Sequence, residues 1–215
     1  MKTSHLAILG LALASASTAH AGVLNITNMV PGKFQIVSAN LYGNNETFYS
    51  GPQNAQYNGG SFFDGYCTDF GYTNNLPVAY AATPTSALTL SNGARVAKLY
   101  NTFASAVSTA DQGAALQLAI WDVIYDNGDG AASGNFKVTG GLTAGISSYL
   151  TSFLSDPLSG ASTDVTYYAA DNHGPNNNLY QGILGPGAGQ PVPEPATMAV
   201  LGLGALMLRR RNKKA

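Results

Sequence analysis

The 215-residue chain is poor in charge, in histidine and in cysteine, and each shortage removes a class of function. Charged residues make up only 10% of it, which excludes a coiled coil, a charge-driven disordered chain and a basic nucleic-acid binder. Cations are scarcest in the middle. Between Gly22 and Pro193 there are four (Lys33, Arg95, Lys98 and Lys137) against ten carboxylates, a net charge of −6 that makes DNA and RNA unfavourable partners. Of three histidines, His5 and His20 fall near the start, leaving His173 beside the Gly174-Pro175 turn signal, where it reads as a solvated turn residue. A lone histidine is too few for poly-His zinc chemistry and argues against Ser-His-Asp or Cys-His catalysis. No metal, no cofactor and no enzymatic activity are expected. A single cysteine, Cys67, excludes an intramolecular disulfide. Gly, Asn, Ser, Thr and Tyr are plentiful instead, as in an exported, neutral-polar protein.

Both ends read as addresses rather than as globular chain. Residues 1–21 contain Lys2, an apolar run from Leu6 to Ala14, and Ala19-His20-Ala21, the small-x-small pattern cut by a signal peptidase. Cleavage is expected between Ala21 and Gly22. The run is too short to span a bilayer, which takes about 20 apolar residues. At the other end Pro193-Glu194-Pro195 precedes an uncharged stretch from Ala196 to Leu208 and then Arg209-Arg210-Arg211, Lys213 and Lys214. Proline stops preceding structure, the thirteen-residue run falls short of a bilayer core, and the basic cluster stays cytoplasmic. In this order the three features resemble the PEP-CTERM sorting signal. The resemblance implies a Gram-negative bacterium, transient inner-membrane retention through 196–208, processing by an exosortase, and a place at the cell surface or in an extracellular, biofilm-type matrix.

Between the addresses lies one domain, 22–184, followed by a Gly/Pro-rich linker over 185–192 and the sorting signal over 193–215. From Val23 to about Phe70 short alternating stretches are punctuated by Gly43-Asn44-Asn45, Gly51-Pro52 and Gly59-Gly60, the pattern of short strands. Val96, Leu99, Tyr100, Phe103 and Val107 then fall at helical spacing after Ser91 or Asn92 as cap. Thr109 to Gln112 reads as a capping box opening a helix from Ala114 to Tyr125 that is apolar on nearly every side and therefore buried. Thr143 caps a third helix, stopped before Pro157, and strand-like Val165 to Ala169 and Leu179 to Leu184 follow. Strands, a helical block and strands again describe an α+β fold, an antiparallel sheet or barrel with inserted helices.

Two residues within this frame carry chemistry. Cys67 is a thiol in an exported chain, set in the aromatic run Phe62-Phe63-Asp64-Gly65-Tyr66-Cys67-Thr68-Asp69-Phe70. Gln117 interrupts the apolar Ala114-Ala115-Leu116-Gln117-Leu118-Ala119-Ile120-Trp121, and a desolvated amide left unpaired costs about 1 to 3 kcal/mol. Hydrogen bonding to backbone would satisfy it. So would covalent chemistry: attack of the thiolate on the amide carbonyl, with loss of ammonia, gives an internal thioester that is electrophilic toward amines and hydroxyls.

Tyr66-Cys67-Thr68-Asp69, followed some fifty residues later by Gln117-Leu118-Ala119-Ile120-Trp121, resembles the paired motifs of bacterial surface thioester domains. The resemblance implies a Cys67–Gln117 thioester in a pocket of Tyr66, Asp69, Phe70, Ala119 and Trp121, acting as an adhesin on a protein amine or polysaccharide hydroxyl. Leu116 departs from the threonine usual in that family. Two rivals are a non-reactive matrix or adhesion module of the same fold and a polysaccharide-active enzyme using Asp122 and Asp126, one helical turn apart. Asp122, Asp126 and Asp129 resemble a calcium loop in composition but lack its ligand spacing, and a polar turn is the plainer reading.

Overall fold

The structure, a computed structural model, describes residues 21–71, 75–171 and 180–187. Its strands are β1 (Gly22–Met29), β2 (Gln35–Leu41), β3 (Asn44–Ser50), β4 (Gln53–Tyr57), β5 (Phe62–Cys67), β6 (Val78–Ser86), β7 (Phe136–Gly140), β8 (Val165–Ala170) and β9 (Ile183–Pro186). The helices are α1 (Gly93–Phe103), α2 (Ala110–Asp126) and α3 (Ala144–Ser155). Residues 1–20 of the expected leader, His173, the linker beyond residue 187 and the sorting tail lie outside the described residues.

Alternation in the sequence becomes inside and outside in the strands. Leu24 and Ile26 of β1 and Val37, Ala39 and Leu41 of β2 are buried, as period-two side chains on one face should be. Six strands close into an antiparallel barrel in the order β1-β4-β5-β9-β8-β6, and β3-β2-β7 form a separate three-stranded sheet. α2 packs against both α1 and α3 and lies against all three strands of the small sheet. The fold is thus a single α+β domain in which helices, with β7 among them, are inserted between barrel strands β6 and β8.

The central helix forms where its capping box stands. Thr109 Oγ1 accepts from the Gln112 N–H (3.3 Å), and Gln112 Oε1 accepts from the Thr109 N–H (3.2 Å). From Gly113 to Val123 every residue of α2 is buried. Gly113 permits this depth, because a Cβ there would stand 1.9 Å from the Lys33 carbonyl oxygen.

Several features differ from expectation. α1 ends at Phe103 and passes into a 3-10 turn, Ala104–Ala106, before Val107. Its cap, Asn92, adopts φ 52° and makes no capping bond; instead its Nδ2 donates to the Val123 carbonyl (2.8 Å), fastening α1 to α2. β6 and β7 carry no strand signal strong enough to be expected from the sequence. β9 starts at Ile183 and runs past residue 184 into the expected linker, with Gly185 paired to Thr166 and Pro186 to Val165, while Leu179 lies outside the described residues.

Candidate functional site

The site is assembled by strand register. Gln53 stands opposite Gly65 across β4 and β5, and Cys67 stands opposite Ile183 across β5 and β9. Residues two apart on antiparallel strands share a face, so Gln53, Cys67 and Gln181 project from one side of three neighbouring chain segments. The β5–β9 ladder continues past the strand ends, since the Thr68 N–H donates to the Gly182 carbonyl (2.9 Å). Gly182 is required for that approach: a Cβ would lie 2.4 Å from the Tyr167 ring and 2.7 Å from Thr68 Oγ1.

Two glutamines reach Cys67 by its side chain and a third by its main chain. Gln117 Oε1 accepts from the Cys67 N–H (2.9 Å) and Gln117 Nε2 donates to the Cys67 carbonyl (2.8 Å). That carboxamide therefore pairs with the cysteine as a neighbouring strand would, satisfying both buried peptide groups. The sulfur points elsewhere. Cys67 Sγ donates to Gln181 Oε1 (3.0 Å) and accepts from Gln53 Nε2 (3.1 Å), while Gln53 Nε2 also lies 3.4 Å from Gln181 Oε1. Gln181 Nε2 donates to the Asp69 carbonyl (3.3 Å), a group that can only accept, so the amide's oxygen must face the thiol. Among the described residues, the sulfur's hydrogen-bond partners are Gln53 and Gln181. Gln117, the partner expected from the sequence, meets the Cys67 peptide and makes no hydrogen bond to the sulfur.

Burial governs the electrostatics. Desolvation, reinforced by the Asp69 charge, pushes the Cys67 thiol well above its ordinary range, so it is held as S–H. Asp69 is itself raised by desolvation, against the lowering effect of hydrogen bonds from the Gly182 N–H (2.6 Å) and Thr68 Oγ1 (3.2 Å). Cys67, only 4% exposed, lines a cleft of about 690 Å³ together with Gln53, Gln181, Phe70 and Trp121. Among the described residues, Glu46 is the one charged side chain in that lining.

The expected pocket residues separate into three roles. Phe70 and Trp121 form the cleft wall with Phe48, their rings meeting edge to face at centroid distances of 4.9 to 5.5 Å. Tyr66 and Ala119 are fully buried outside the cleft lining, and Tyr66 packs against the Tyr100 ring. Asp69 braces the Gln181–Gly182 segment. Gly22, the residue after the expected cut, opens β1.

The acidic trio has carboxylate oxygens within 4.8 Å of one another. Asp126 is engaged structurally, its two oxygens accepting from the Asn135 and Phe136 N–H groups and tying down the loop after α2. Asp122 accepts from the Gly130 N–H (3.1 Å), while its Oδ1 is buried without a hydrogen-bond partner. Desolvation, opposed by that N–H and by Arg95 but increased by Asp129 and Asp126, pushes its carboxyl up to about 6.

Gln53 and Gln181 do not stand out in the sequence. Their only local signal is a polar residue beside a strand: Gln53 directly after Gly51-Pro52, and Gln181 between Tyr180 and Gly182-Ile183. What joins them to Cys67 is register, which no short motif records.

Comparison with known proteins identifies the tail. Residues 191–213 match the PEP-CTERM protein-sorting motif. Such a motif implies exosortase-dependent processing and export to the cell surface. No curated protein matches the chain. Among solved structures, it is similar to the N-terminal domain of the Streptococcus pyogenes pilus tip adhesin Cpa, with a TM-score of 0.44 and 8% sequence identity over 80% of this chain and 95% of that one. Among the described residues no helix is long and apolar enough to cross a membrane.

Proposed function

We propose that this is an exported surface or matrix protein that carries an internal thioester between Cys67 and Gln181 and uses it to attach covalently to amines or hydroxyls outside the cell. The observation that carries the proposal is the 3.0 Å approach of the Cys67 sulfur to the Gln181 carbonyl oxygen. In the closing step Sγ bonds to Gln181 Cδ, the carbon–nitrogen bond breaks, and the thiol proton leaves with the amide as ammonia. In capture, an external amine attacks the same carbon and expels the sulfur, so that the target becomes an amide on Gln181 and Cys67 returns to a thiol. The aromatic wall supports the proposal, because a dry pocket slows hydrolysis of the electrophile.

Gln117 has a different task in this scheme. Its two bonds to the Cys67 peptide fix the nucleophile's backbone and answer the desolvation problem that the glutamine poses in the sequence.

Intact-mass spectrometry of the purified full chain provides the test. A thioester predicts a deficit of about 17 Da, abolished in Cys67→Ala and in Gln181→Ala. After opening with methylamine, tandem mass spectrometry should find the N-methylamide on Gln181. The label on Gln117 would move the acyl donor there, and full mass with a titratable thiol in folded protein would leave a non-reactive adhesion module.

A further inference from the structure

We infer that Gln53 is a catalytic residue of thioester formation and opening, its side-chain NH2 acting as the oxyanion donor of the acyl-transfer step; the inference rests on the Cys67–Gln181 proposal above. Among the described residues, Gln53 is the side chain that hydrogen-bonds both reacting groups, with Nε2 at 3.1 Å from the nucleophilic sulfur and 3.4 Å from the carbonyl oxygen of the electrophile. Its orientation follows from its neighbours. Gln181 Oε1 is fixed as an acceptor by the bond from Gln181 Nε2 to the Asp69 carbonyl, so the Gln53 atom facing it must be the NH2 group.

The chemistry needs such a group. Attack of Sγ on Cδ of Gln181 moves the carbonyl π electrons onto Oε1. The developing negative charge stands in a site where Asp69 is the neighbouring acid and, among the described residues, no cation lines the cleft. A carboxamide supplies two N–H donors on one nitrogen, one for the sulfur before attack and one for the oxygen during it. The 3.4 Å ground-state distance shortens as the carbonyl oxygen acquires charge, which is differential stabilisation of the transition state. Collapse restores the carbonyl and expels the nitrogen, which departs as ammonia with the thiol proton.

Hydrogen bonding engages the NH2 end of the Gln53 amide alone. Its Oε1 is buried without a hydrogen-bond partner, an arrangement costly for a merely structural glutamine and consistent with one retained for its NH2.

The test is kinetic. The full chain is opened with ammonia, which regenerates the thiol and the amide, and closure is followed by intact mass after the ammonia is removed. Gln53→Met, apolar and of similar length, should close about 10²- to 10³-fold more slowly than wild type, the usual effect of removing an oxyanion donor. Opening by ammonia should slow as well, since both directions pass through the same intermediate. Gln53→Glu, which keeps the shape but sets a carboxylate against the oxyanion, should be slowest at neutral pH and recover as the solution is acidified. In the wild type the Gln53 side-chain NH2 resonances should differ between the open and closed forms. Closure of either folded variant at the wild-type rate, or NH2 resonances that do not move, would overturn the role of Gln53 alone. A wild-type chain with no mass deficit would overturn the thioester, and this inference with it.

Discussion

Gln117 and Gln181 lie near the same cysteine and should respond oppositely to removal. Gln117→Ala strips the Cys67 N–H and carbonyl of their partners inside the protein, and two orphaned buried groups cost about 2 to 6 kcal/mol together. Chemical denaturation should report that loss as a lower midpoint with an unchanged slope. Gln181→Ala should be within about 1 to 2 kcal/mol of amine-opened wild type in stability while abolishing the mass deficit. Asp122 supplies a pH signature at the same scale. Its folded-state carboxyl ionises near 6, against 3.8 for the ordinary group, so between those values the folded chain holds a proton that the unfolded chain has shed. Its contribution is therefore fully present below about pH 4 and is lost as pH rises through 6, by up to about 3 kcal/mol. Asp122→Asn should flatten that decline in melts measured from pH 4 to 7. The sequence exposed Cys67, Gln117 and Trp121, because a thiol and an amide in apolar runs are locally anomalous. Gln53 and Gln181 sit in polar surroundings and become conspicuous only when strands β4, β5 and β9 are aligned.

Legibility among the elements followed how local the causes were. α2 and α3 announced themselves through Thr109, Thr143 and helical spacing, and both threonines do cap, Thr143 accepting from the Ile146 N–H at 3.0 Å. β6 and β9 contain Pro84 and Gly185-Pro186, residues that argue against strands when judged alone. Barrel closure overrides that preference, since β9 gains a ladder on each side from β5 and β8. Two element-scale substitutions follow. Thr109→Ala should cost about 1 kcal/mol by removing one half of the capping box. Gly113→Ala should cost about 1 to 3 kcal/mol or more, because its Cβ would meet the Lys33 carbonyl and the Pro52 ring and push α2 away from them; thermal melts of both variants would rank them.

For the molecule as a whole, the proposed bond is also a cross-link. Cys67 and Gln181 are 114 positions apart, and closing a loop of that length removes unfolded-chain entropy worth about 5 kcal/mol, by the same chain statistics that apply to a disulfide. Opening wild-type protein with methylamine should lower its denaturation midpoint accordingly, and Cys67→Ala should show no such response to the amine.

Barrel order also decides where tension would run. A target captured on Gln181 is joined to the chain ten positions before the sorting motif begins at residue 191. A pull between target and cell surface would then travel along β9 and leave most of the domain outside the line of force. β9 lies between β5 and β8, antiparallel to both, so the tension would be borne by the covalent backbone of one short strand while the two ladders flanking it hold that strand in place without carrying the net load.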